Sequence, residues 1–121
     1  MGIITGPLRR RAAGHLAGET VLRQADANTF GTESRGRLQA RGNGTLALAA
    51  EELLFAQWVP DRVLRIPRAA ITEVDTTRSW LGKTMFRRLL LVRWRTDTGA
   101  DAIALWVKDL DGWIADLGSG R

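Results

Sequence analysis

The residues best suited to chemistry lie in one stretch, Arg78-Ser79-Trp80-Leu81-Gly82-Lys83, followed by Met85-Phe86-Arg87-Arg88. Trp80, Leu81 and Phe86 are costly to expose together as one patch. Arg78, Lys83, Arg87 and Arg88 surround them with four positive charges. Such a set suits an interfacial wedge, with rings at headgroup level and cations towards lipid phosphates. It also suits stacking on single-stranded nucleic acid. A structural reading stands beside both: Trp80 and Phe86 fold back over the edge of a small core, and the arginines point to water.

Other motifs carry less. Gly42-x-Gly44-x-x-Ala47 fits the loose form of a dinucleotide-binding fingerprint. The strand before it is feebly apolar, and no second βαβ unit follows. Gly82-Lys83-Thr84 matches the tail of a P-loop, but Thr77 stands where that pattern needs glycine. His15 is the single histidine and cannot build a metal site or a triad without partners. The carboxylates lack metal-ligand spacing, and no serine sits in a G-x-S-x-G setting. With no cysteine, disulfides, thiolate metal sites and cysteine nucleophiles are excluded. Neither enzymatic activity nor a cofactor nor a metal is expected.

The totals bound the rest. A chain of 121 residues fits one domain, with enough length for a core without staples. Its 45% hydrophobic and 26% charged residues describe an ordinary globular protein. The formal charge of +5 comes almost wholly from arginine, since Lys83 and Lys108 are the only lysines. A basic balance favours anionic partners: nucleic acid, a phospholipid surface or an acidic protein. A high-GC genome, which uses Arg and Ala freely, accounts for the same excess. No apolar run approaches the roughly 20 residues of a membrane span. The basic cluster Arg9-Arg10-Arg11 follows the short apolar start, the wrong order for a signal peptide. Gly6 stands where myristoylation needs Ser or Thr. A cytoplasmic protein is expected, with peripheral association at the inner face of the membrane where it binds lipid.

The elements that must position the basic-aromatic stretch are mostly strands. Residues 1–18 read as a Gly-rich basic tail or a short helix. Thr20 to Thr32 is strand-like, and Glu33-Ser34-Arg35-Gly36 is a turn. Gly42-Asn43-Gly44 is either a hairpin turn or a glycine bulge that bends a longer strand. Leu46 and Leu48, then Leu53 and Phe55, alternate with small or polar residues. They read as a hairpin with one buried face, although the Ala, Leu and Glu content also suits a helix. Arg62–Ile66 is a short strand stopped by Pro67, and Ile71 to Asp75 is another. Between Thr76 and Arg88 no period is clear, so a long functional loop or flap is expected there. Leu89–Arg95 and Asp101–Val107 are apolar strands in which periodicity does not choose the buried face. Leu110, Trp113, Ile114 and Leu117 then form one helical stripe, with Asp109 as N-cap and Gly118 as stop.

This order resembles the PH-like superfamily, in particular bacterial PH-like and GRAM-type domains. The likeness rests on Gly44-Thr45-Leu46-Ala47-Leu48, Leu53-Leu54-Phe55, Leu64-Arg65-Ile66-Pro67, then Ile71 and Val74, and the Trp-bearing helix Asp109–Leu117. Ala49 departs from it, since many relatives carry Thr there. The resemblance covers residues 19–117 and leaves 118–121 as a flexible end. It implies a mainly β fold: a seven-stranded, bent antiparallel barrel or sandwich, capped by one C-terminal helix with Trp113 as the plug. It also implies a non-catalytic binding module. PH-like lipid binders place basic residues in the first hairpin loop, here Arg35, Arg37 and Arg41, but Glu33 and the lack of a dense lysine motif argue against specific phosphoinositide recognition.

The function expected first is peripheral association with anionic lipid headgroups through Arg78, Trp80, Leu81, Lys83, Phe86, Arg87 and Arg88. A protein-interaction or self-assembly module, using exposed strand edges and homo-oligomerising, stands second. Nucleic-acid binding stands third.

Overall fold

A computed structural model describes residues 21–35, 42–58 and 62–119. The expected N-terminal tail with His15, the loop arginines Arg37 and Arg41, and residues 120 and 121 lie outside these residues, as does the side chain of Arg35.

Among the described residues seven antiparallel strands form one sheet: β1 (Val21–Thr32), β2 (Gly42–Ala49), β3 (Glu52–Gln57), β4 (Arg62–Pro67), β5 (Ile71–Trp80), β6 (Lys83–Thr96) and β7 (Gly99–Val107). Among the described residues one α-helix, α1 (Leu110–Ser119), follows the last strand. The strand order is β4-β3-β2-β1-β7-β6-β5, so β4 and β5 are the edges and the sheet is not closed into a ring. β1 is the shared strand. Its register with β2 runs from Val21↔Ala49 to Thr29↔Gly42. Its register with β7 runs from Ala27↔Val107 to Thr32↔Ile103.

The sheet bends back on itself. One apolar cluster unites Leu46, Leu48, Leu53 and Ile66 from β2–β4 with Ile71, Leu90, Val92 and Trp94 from β5 and β6. Strands at opposite ends of a flat sheet cannot share a core, so the two halves must face each other as a bent sandwich. α1 closes one side by burying Trp113 and Leu117 in the same cluster, with Trp113 only 1% exposed. The Arg23 guanidinium holds the helix from outside. It lies 5.2 Å over the Trp113 ring, bonds Asp109 and donates to Asp116 at 2.9 Å. The Asp116 bond, opposed by desolvation, is the largest influence on this guanidinium and raises its pKa. Asp109 has a φ of 56° and its carbonyl accepts the Trp113 N–H at 3.1 Å. It therefore begins the helix through its carbonyl, and its carboxylate serves Arg23. Gly118, expected as the stop, lies inside α1.

The glycine pair Gly42 and Gly44 does not bend a strand. The β1–β2 register is unbroken from Asn28↔Asn43 to Arg23↔Leu48. Gly44 instead permits close approach: a Cβ there would lie 2.5 Å from the Ala56 carbonyl and 2.7 Å from the Phe55 ring. The bend falls at Gly31, where the β1–β7 register shifts and φ reaches 102°. That backbone favours glycine.

The hairpin reading of residues 46–55 holds, and the helical one fails. Leu48 pairs with Leu53 across a turn at Ala50-Glu51. The alternation hides a second fact: both faces are buried. Leu46, Leu48, Leu53 and Phe55 enter the main core, while Ala47, Ala49 and Leu54 form a cluster on the other face. β6 and β7 behave alike. Leu90, Val92, Ile103 and Leu105 face inwards, and Leu89, Ala102 and Ala104 join Trp80 outside. Two covered faces explain why neither strand alternates in sequence.

Candidate functional site

The segment from Thr76 to Arg88 is not a loop. It is the end of β5, a two-residue turn and the start of β6. Leu81 and Gly82 both have positive φ, 51° and 82°, as the primed two-residue hairpin turns require. Leucine is an unusual choice there, because the left-handed region crowds its Cβ. Packing of the half-buried Leu81 against the Trp80 cluster offsets that cost.

Trp80 anchors the root of the hairpin. It is 7% exposed and packs with Leu89, Ala102 and Ala104. Its indole N–H donates to the Gly31 carbonyl at 2.9 Å, a buried bond to the bend in β1. Trp80 is therefore a structural residue, and its expected membrane contact is replaced by a place in the outer cluster.

Beyond this anchor the hairpin opens. Ser79 pairs with Thr84, and the next pair is Thr77 with Leu89. One residue on β5, Arg78, thus faces four on β6: Met85, Phe86, Arg87 and Arg88. This is a large bulge, of the kind that re-aims side chains at strand margins. Arg78 spans it by donating to the Phe86 carbonyl at 3.2 Å. Pairing of β6 with β7 starts only at Leu90↔Leu105.

The bulge sends its side chains apart. Met85 is half-buried against the Trp80 cluster. Phe86 is 101% exposed, the most exposed large hydrophobic residue described. The Arg87 guanidinium lies 4.8 Å over the half-buried Trp106 ring. Arg88 reaches to 3.8 Å from Asp111 of α1, with both side chains well exposed, a contact worth little in energy. Lys83 is exposed beside the turn. Of the seven residues expected to bind, then, Phe86 and the four cations Arg78, Lys83, Arg87 and Arg88 are exposed on one hairpin, with their side chains directed apart. Trp80 and Leu81 form its footing.

Next to the bulge lies a groove of about 330 Å³, lined by Asn28, Phe30, Thr84, Met85, Phe86, Arg87, Leu89 and Trp106. Reasoning from sequence missed Asn28, Phe30, Thr84, Leu89 and Trp106, because only strand register brings Asn28, Phe30 and Trp106 to the hairpin. Among the described residues no group of three or more His, Cys, Asp or Glu side chains is placed to hold a metal. No helix among them is long and apolar enough to cross a membrane.

No family model matches the chain, and no curated protein does. A solved structure does: the C-terminal domain of an unknown protein from Leishmania infantum superposes with a TM-score of 0.66. It is 20% identical and the match covers 97% of this chain and 96% of that one. The similarity is one of fold.

Proposed function

We propose that this chain is a PH-like domain that acts as a non-catalytic binding module and associates peripherally with anionic membrane surfaces. The observation that carries this reading is the wholly exposed Phe86 on a hairpin that also carries the exposed cations Arg78, Lys83, Arg87 and Arg88. An exposed aromatic ring has no structural use in water, yet it gains on entering the acyl boundary. The strand order, with β1 shared between two halves and a helix burying a Trp, supports the PH-like assignment.

The magnitudes suit reversible association. Full burial of a Phe ring contributes about 1.5–3 kcal/mol. Each cation near an anionic surface adds about 1 kcal/mol. One ring and four cations give about 5.5–7 kcal/mol, a Kd of tens of micromolar. Co-sedimentation with vesicles of mixed phosphatidylcholine and phosphatidylserine tests this. The expected result is binding that needs the anionic lipid, weakens with salt and drops on Phe86→Ser. Equal binding to neutral vesicles, or an unchanged Phe86→Ser variant, overturns it.

A second reading draws on the sheet edges. Among the described residues β4 and β5 each have a strand partner on one side only, the geometry that accepts an added strand. Light scattering during size-exclusion tests self-assembly through these edges. A monomer at high concentration removes it.

A further inference from the structure

The groove beside the bulge goes beyond surface adhesion. We propose that it is a binding site for a single-chain anionic amphiphile, a fatty-acid carboxylate, whose tail lies along Phe30, Met85, Leu89 and Trp106 and whose head pairs with Arg87.

Three observations lead there. The groove's volume of about 330 Å³ falls at the small end of the ~300–1,000 Å³ range of small-ligand sites. Its floor and walls are mainly apolar, and Trp106 and Leu89 belong to or pack on the same well-formed outer cluster as Trp80. A preformed apolar lining with few polar groups is the common design of such sites. Thirdly, the polarity is arranged at one place. Arg87 is held over the Trp106 ring, so its cation is positioned at the groove, and no carboxylate lines the groove among the described residues, while Asn28 and Thr84 add neutral polar atoms.

Charge decides among occupants. A second copy of this chain could offer its Phe86 as a knob, but a two-fold contact would bring Arg78, Lys83, Arg87 and Arg88 of both copies together. Like charges so placed oppose docking. A neutral hydrocarbon leaves the cation unanswered. A cationic amphiphile is repelled by it. An apolar tail ending in a carboxylate answers both parts, since a guanidinium recognises a carboxylate by paired N–H donors.

Decanoate, kept below its micelle concentration, is the probe. In a two-dimensional ¹H–¹⁵N spectrum each tryptophan gives one indole signal, and Trp106→Phe identifies the one from Trp106. Decanoate is expected to shift that signal saturably, while decyltrimethylammonium, with the same tail and the opposite charge, leaves it in place. Arg87→Gln, at an exposed position, is expected to weaken decanoate binding about tenfold or more. Thr84→Trp, which fills the groove from an exposed site, is expected to abolish it. Absence of a saturable Trp106 shift, equal response to the cationic amphiphile, or full affinity in Arg87→Gln overturns the proposal. Vesicle sedimentation of the same samples keeps the two ideas apart: vesicle binding without a decanoate shift leaves the membrane reading standing and removes the groove, and a decanoate shift without vesicle binding does the reverse.

Discussion

Trp80 and Phe86 are six residues apart, both aromatic and both on one hairpin, yet they should respond to mutation in opposite ways. Trp80→Ala removes a ring that is 7% exposed and leaves a hole among Leu89, Ala102 and Ala104. Aromatic-to-alanine changes in such sites cost about 3–5 kcal/mol. Trp80→Phe keeps most of the packing but strands the Gly31 carbonyl, which accepts the indole N–H at 2.9 Å in a buried setting. A buried acceptor left unpaired costs about 1–3 kcal/mol. Phe86→Ala removes a side chain that touches water on every side, so its effect should stay within about 0.5 kcal/mol. Urea unfolding followed by far-UV circular dichroism reads all three. The expected order of midpoints is wild type and Phe86→Ala together, then Trp80→Phe, then Trp80→Ala, at a common m-value. A domain of this size has about 5–15 kcal/mol of stability, so Trp80→Ala should fold at low denaturant and the comparison can be made. If Trp80→Ala unfolds at the same midpoint as Phe86→Ala, Trp80 is not packed on the bend in β1 and the account of the hairpin is wrong.

Five further substitutions test the packing. Gly44→Ala should cost about 1–3 kcal/mol, because the new methyl meets backbone at Ala56. Gly42→Ala should cost less, since the atoms nearest its methyl belong to the Gln57 side chain and not to backbone; equal midpoints for the two variants would refute this reading of Gly44. Trp113→Ala should cost about 3–5 kcal/mol by thermal unfolding, as it empties the centre of the core under α1. Arg23→Ala should cost about 1–2 kcal/mol by releasing the Trp113 face and two carboxylates, and high salt should narrow its gap from the wild type. Leu81→Val places a β-branched side chain at φ 51° and should cost about 1–2 kcal/mol in urea.

Much of the fold was legible because its elements carry local signals. Leu46, Leu48, Leu53 and Phe55 announce a hairpin, and the stripe Leu110, Trp113, Ile114 and Leu117 announces a helix. The order of seven strands and one helix could be read without knowing how they bend. What escaped is non-local. Gly31 looks like an ordinary strand glycine until its register shift with β7 shows it to be the bend. Gly42 and Gly44 look like a bend and are not one. Residues 76–88 lost their period because four residues of β6 face one of β5, which breaks the two-residue repeat on which strand reading depends. The turn that joins those strands uses Leu81-Gly82, which lacks the Asn or Asp that marks most such turns. Phe30 and Trp106 could not be assigned to the groove, because only the sheet order β1-β7-β6 brings their strands, β1 and β7, beside the bulge of β6.

The hairpin also shows how a surface feature of this type can be rigid at small cost to the core. Its root is held on three counts: the Trp80 ring in the outer cluster, the indole bond to Gly31, and Leu81 packed beside it. Its bulge is held by Arg78 bonding the Phe86 carbonyl, by Met85 on the outer cluster and by Arg87 over Trp106, while the Phe86 ring stays exposed. Substitutions at the root therefore act on the folded state, and substitutions on the bulge act on whatever it touches. That division explains why Trp80, the residue with the strongest claim to membrane contact on chemical type alone, is excluded by its position. An interfacial ring must be both apolar and unpartnered. Of the two large aromatics in this segment only Phe86 is exposed, and Arg78, Lys83, Arg87 and Arg88 lie exposed on the same hairpin. Exposure, not residue type, separates the anchor from the probe.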